Sequence, residues 1–221
     1  GLNRLDLETL KFKRFIDPAN PAATLDAVID IYNDPAGIVW VGTFDNGVYR
    51  LDAETGEFTY FVNDPQDSGS LSNNSILDIT RDRRGTLWIG TSGGLNRYDP
   101  VKNSFRAFTE KEGLPNNVVY GIEEDAAGYL WLSTNNGMAR FNPQTETVQT
   151  YTINDGLQSN EFNMGAHATL ANGAMAFGGV KGFNVFYPEN IRTNSFVPPV
   201  ALTALKRDGE PIETTAAPEA L

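Results

Sequence analysis

Three tryptophans recur in closely matching surroundings: GIVWVGTFDNGVYRLD at 37–52, GTLWIGTSGGLNRYDP at 85–100 and GYLWLSTNNGMARFNP at 128–143. They stand 48 and 43 residues apart. A fourth copy, GAMAFGGVKGFNVFYP at 173–188, puts Phe177 close to the tryptophan's place. The opening GLNRLDLETLKFKRF (1–15) lines up with the back half of a unit, GLNRYDPVKNSFRAF (94–108). A fixed period of this kind restricts the chain to a repeat architecture before anything else is considered.

Each unit reads as four short strands. In the third, NVVYGIEED (117–125) is followed by a turn from Asp125 to Gly128, then YLWLST (129–134), a turn at Asn136-Gly137, MARFN (138–142) and TVQTYT (147–152). The turns at 34–37, 82–85 and 125–128 all place Asp first and Gly fourth, where Asp can bond the turn backbone and Gly accepts a positive φ. The second strand of each unit is apolar on both sides: Ile38 to Val41, Leu87 to Ile89 and Leu130 to Leu132. Both faces must therefore be covered. Four-stranded units at this period, packed face to face, are the blades of a propeller. The fold expected is all-β, a β-propeller of four-stranded antiparallel blades. Trp40, Trp88, Trp131 and Phe177 are then structural groups filling the gaps between blades, because they recur at one repeat position with apolar neighbours.

Four to five blades or partial blades can be counted. A partial blade lies at 1–16, full blades at 28–62, 76–109 and 118–152, and another partial blade at 162–187, all within a propeller region 1–190. The N-terminal strands could complete the last unit and close a small ring, or the chain could be a fragment of a larger ring. Residues 191–221 read as a Pro-Pro linker followed by a strand from Val200 to Leu205, a turn at Asp208-Gly209 and a disordered tail after 213: the truncated start of another β domain. The abrupt ends, GLNRLD and ETTAAPEAL, suggest a piece of a longer protein.

Composition removes several functions. With 17 basic against 28 acidic residues the net charge is −11, so neither a nucleic-acid groove nor direct contact with an anionic membrane is expected. The absence of cysteine removes thiolate metal sites and cysteine nucleophiles. No apolar run approaches the roughly 18 residues of a membrane-spanning helix. No metal is expected, since Asp64 and Asp67 in NDPQDSGS (63–70) lack the spacing of a calcium loop, and no cofactor is expected either.

The pattern D-x-x-G-x-L-W-I-G-T-x-x-G-L-x-R-[YF]-D-P resembles the two-component regulator propeller repeat. The linkers GSLSNNSI (69–76), EGLPNNVV (112–119) and DGLQSNEF (155–162) match it as well. The first unit departs most: NPAATLDAV (20–28) lacks the linker, and Asn46-Gly47-Val48 replaces Gly-Leu. NEFNMGAHATLANGAMAFGGVKGFNVFYPENI looks like the last repeat of such an array, and VPPVALTALKRDGEPI is similar to the start of the immunoglobulin-like domain that follows it. The resemblance implies a non-enzymatic ligand-sensing module in the periplasmic or extracytoplasmic part of a membrane-anchored histidine kinase. The ligand implied is an oligosaccharide or another small molecule. The alternatives are a propeller enzyme of the lyase type and a scaffold for protein contacts or dimerisation. Flat apolar faces left open at the ends of an unclosed ring would make the chain a homo-oligomer.

Ligand residues are sought where the copies disagree, because a scaffold needs repetition and a ligand does not. That singles out Tyr120 (where the previous unit has Leu77), Phe162 and His167, with Asn117 and Asn160 as polar neighbours. Asn73, Asn74 and Asn116 enter the same strands but read as turn caps. No catalytic residue is expected: His167 is the single histidine, with no partner evident in the sequence. Glu123, Glu124 and Asp125 read as a solvated acidic run.

Overall fold

In the computed structural model, described here for residues 2–15, 27–191, 206–207 and 210–211, every hairpin announced by a D-x-x-G turn is present. The β-propeller blades are antiparallel meanders. The first comprises β3 (Val28–Asn33), β4 (Ile38–Thr43), β5 (Val48–Asp52) and β6 (Phe58–Phe61). The second comprises β7 (Ile76–Arg81), β8 (Leu87–Thr91), β9 (Gly94–Asp99) and β10 (Ser104–Phe108). The third comprises β11 (Val119–Glu124), β12 (Leu130–Thr134), β13 (Gly137–Asn142) and β14 (Thr147–Tyr151). The fourth has three strands, β15 (Phe162–Thr169), β16 (Met175–Gly179) and β17 (Gly182–Phe186). Before them, β1 (Asn3–Leu5) and β2 (Phe12–Arg14) form a two-stranded hairpin. Residues 1–190 form one compact unit and 191–221 a second, in which Lys206–Arg207 (β18) pairs with Glu210–Pro211 (β19). The strand expected from Val200 to Leu205, the Asp208-Gly209 turn and the tail after 213 lie outside the described residues, as does the stretch 16–26.

The turn chemistry is repeated closely. Gly37, Gly85 and Gly128 hold φ of +82°, +86° and +84°, a region open to glycine without steric cost. Asp34, Asp82 and Asp125 are all buried, and one carboxylate oxygen of each accepts turn N–H groups: from Ala36, from Arg84 and Thr86, and from Ala127 and Tyr129. The second oxygen of Asp82 accepts from Trp88 Nε1 at 2.9 Å, and that of Asp125 from Trp131 Nε1 at 3.0 Å. These two turns thus orient the large ring on the strand that follows them.

That ring faces the next blade along the chain. Trp40 packs with Ile76, Ile79, Leu87 and Ile89 of the second blade, and Trp88 with Ile122, Leu130, Leu132 and Phe141 of the third. At the third gap Trp131 meets Phe186 at 4.8 Å between ring centroids, and Phe177 stacks on Phe186 at 6.1 Å. The ladder corrects one detail of the sequence comparison. Trp131 pairs with Arg140 while Ala176 pairs with Val185, so Ala176 holds the tryptophan's register and Phe177 that of Leu132. Phe177 fills the same gap from the opposite blade. Ala176 turns toward the outer side of the fourth blade, where Phe183 is 72% and Val185 50% exposed.

The N-terminal hairpin does not complete that fourth sheet. Leu2 and Phe15 instead pack on Val41, Tyr49 and Leu51, the face of the first blade opposite Trp40. Among the described residues, β1 and β2 pair only with each other and β17 pairs only with β16.

Candidate functional site

The first strand of every blade lies innermost, with β3 packed on β7, β7 on β11 and β11 on β15. Each of β3, β7 and β11 begins with a one-residue bulge, at Ile29, Leu77 and Tyr120, and the residue after the bulge points toward the next blade. In the first two blades that residue is aspartate. Asp30 Oδ2 accepts from the Ile79 N–H at 2.7 Å, and Asp78 Oδ2 accepts from the Ile122 N–H at 2.6 Å. Gly42 and Gly90 lie opposite these aspartates on the second strands, with no space for a side chain: a Cβ would stand 2.6 Å from Ile76 Cγ2 and 2.7 Å from the Val119 carbonyl oxygen.

The third junction is built differently. Gly121 replaces the aspartate and Ser133 replaces the glycine across from it. His167 comes over from the fourth blade into the space, so that a Cβ on Gly121 would overlap its ring. His167 holds the register of Ile79 and Ile122, since it pairs with Phe177 as Ile122 pairs with Leu132. Its Nδ1 lies 2.9 Å from Glu123 Oε1, its Nε2 lies 3.6 Å from Asp78 Oδ2, and its ring stacks on Phe177. Thr169 Oγ1 donates to Glu123 Oε2 at 2.6 Å. Ser133 Oγ is buried at this junction without a hydrogen-bond partner among the described residues.

Burial and mutual charge set the protonation of the cluster. Desolvation raises the Asp78 carboxyl to about 7; the nearby Asp30 and Glu123 charges add to the rise, while His167 and the Ile122 N–H oppose it. Desolvation also pushes Glu123 up, but hydrogen bonds from His167 and Thr169 outweigh it and leave the group below its usual value. For His167 burial favours the neutral ring, yet the Glu123 hydrogen bond and the Asp78, Glu123 and Asp30 charges prevail, and its pKa lies above 6.5. The arrangement can store a proton between blades. Among the described residues no group of three carboxylates or imidazoles is placed to hold a metal ion.

The sequence-derived candidates fall in different places. Asn117 and Asn160 are tied into their own linkers, accepting from the N–H groups of Glu110 and Ile153 at 2.9 and 2.8 Å. Phe162 is buried in the core, and Tyr120 is the half-buried bulge residue beside Gly121. His167 alone sits in the cluster. The acidic run is not a solvated face: Glu123 meets His167, Glu124 pairs with Arg83, and Asp125 is buried against Trp131 and Arg140. Sequence reasoning missed Asp78 and Glu123. The available signal was the loss, at Gly121, of the aspartate present at Asp30 and Asp78.

Residues 70–93 and 113–136, each a linker with the first two strands of a blade, match the two-component regulator propeller family. Two stretches of the chain, in the second and third blades, are thus similar to the two-component regulator propeller repeat. Over 89 residues, 40% of its length, the chain is 42% identical to histidine kinase P4 of Formosa agariphila, of which that stretch covers 6%. The repeat chain also superposes on the extracellular domain assigned to a hybrid two-component system of B. thetaiotaomicron, with a TM-score of 0.75 and 28% identity over 96% of this chain and 30% of that one. The extracellular domain assigned to a one-component system of the same organism shares the fold at a TM-score of 0.65 and 24% identity, over 79% of this chain and 26% of that one. The chain therefore spans under a third of the length of each of these relatives.

Proposed function

We propose that the chain is part of the extracytoplasmic, non-enzymatic sensing propeller of a membrane-anchored two-component signalling protein, and that it binds an oligosaccharide or another small ligand. The observation that carries this reading is the 28% identity to an extracellular two-component domain across 96% of the chain. Ligand binding would act by favouring one packing of the propeller over another, which requires different affinity for the two states. Thermal denaturation in the presence of separate panels of oligosaccharides and peptides tests the proposal. Saturable stabilisation by one class is expected; turnover of a panel compound that vanishes in His167→Ala would replace sensing with catalysis.

Self-association belongs to the same reading. It is supported by Phe183 and Val185 on the outer side of the fourth blade and by Leu7, Leu10 and Phe12 on the N-terminal hairpin, all exposed. Light scattering at tens of micromolar is expected to give a mass above that of the monomer, and a monomer throughout would remove this part.

A further inference from the structure

The innermost strands of all four blades contribute charges to one titratable cluster. His167 comes from β15 and Glu123 from β11, while Asp78 on β7 and Asp30 on β3 supply the remaining charges that face the imidazole. At the first two junctions blade is tied to blade by a carboxylate accepting a backbone N–H. Gly121 cannot make that tie, and the imidazole occupies its place. We propose that Asp78, Glu123 and His167 form a proton-operated clasp fastening the fourth blade to the second and third.

The geometry gives each proton a role. A protonated His167 presents N–H donors on both nitrogens, one at Glu123 and one toward Asp78, and its positive charge lies among three carboxyl groups. A neutral ring keeps one donor, and the carboxylates then face each other with no positive charge between them. The direction of the pH dependence follows. His167, raised above 6.5 in the folded chain, contributes stability that is complete below 6.5 and is lost as pH rises through its folded value. Asp78, raised from 3.8 to about 7, binds an extra proton in the folded state over that interval, so stability again falls with rising pH. Glu123, lowered from 4.5, works the other way, and its contribution disappears only in more acidic solution. The clasp therefore loosens as pH rises from 4.5, through Asp78 first and through His167 above 6.5, and weakens again in more acidic solution where Glu123 takes up its proton.

Because His167 is the single histidine, its imidazole resonances in the full chain need no assignment. Their titration midpoint is expected above 6.5 and is expected to drop in Glu123→Gln and in Asp78→Asn. Amide exchange gives the mechanical readout. Protection of β15–β17 relative to β7–β10 should fall severalfold between about pH 6 and about pH 8 in the parent chain and fall less in His167→Gln, where Asp78 still titrates but the imidazole does not. A wild-type midpoint at or below 6.5 would overturn the clasp even if the variants did not fold. So would a protection ratio that ignores pH, or one that changes equally with and without the histidine.

Discussion

At the scale of single residues, the buried turn aspartates act as joints. Asp82 and Asp125 each bind a turn backbone with one oxygen and a tryptophan Nε1 with the other, so the turn and the ring between blades are positioned together. The first blade departs from this. Asp34 directs its second oxygen to Arg81 of the next blade, and Trp40 Nε1 is buried without a partner among the described residues. Trp88→Phe strands an oxygen of the buried Asp82, whereas Trp40→Phe removes a polar atom that had no partner. Urea unfolding should therefore show Trp88→Phe to be more destabilising than Trp40→Phe by about 1–2 kcal/mol. Asp125→Ala leaves Trp131 Nε1 unbonded and Arg140 without its ion pair, for an expected loss of about 2–4 kcal/mol in the same measurement. The turn role of these aspartates was legible from the Asp-to-Gly spacing. The bond to tryptophan was not, because it links positions six residues apart that only the hairpin brings together.

At the scale of elements, strands and turns could be read almost throughout, because apolar second strands and D-x-x-G turns are local signals. The candidate site was legible only in part. The principle that ligand or switch residues lie where copies disagree reached His167 but also Phe162, Asn117 and Asn160, which the structure places in the core and in the linkers. The difficulty is one of register. In β15 a five-residue step, from Phe162 to His167, runs opposite the two-residue step from Phe177 to Gly179, while in β11 a three-residue step, from Val119 to Ile122, opposes the matching step. Counting from the start of the strand therefore puts His167 two places late and hides its equivalence to Ile122. Gly121 offers a direct check on the packing. Gly121→Ala should push the imidazole out and destabilise the chain by about 1–3 kcal/mol, as overpacking does. His167→Ala in the same chain should recover part of that loss, and the coupling read from the double-mutant cycle should be about 0.5–3 kcal/mol. Additive effects would show that the two positions do not share the space.

At the scale of the whole molecule, each of the first three blades contributes its tryptophan to the gap that follows, so the packing has a direction along the chain. Repeat arrays of this sort hold together through nearest-neighbour interfaces, and a lesion spreads only as far as the interfaces it weakens. Trp88→Ala should accordingly raise amide exchange in β11–β14 more than in β3–β6, since its ring lies against the third blade. Equal loosening on both sides would mean that the gaps share one cooperative core. The fourth blade, with Ala176 in the tryptophan's register, sends no such ring onward. The three tryptophans therefore carry different weight: Trp40 and Trp88 each fill a gap between two four-stranded blades, whereas Trp131 faces a three-stranded blade that sends no ring onward, so a fault there touches the last of these gaps alone.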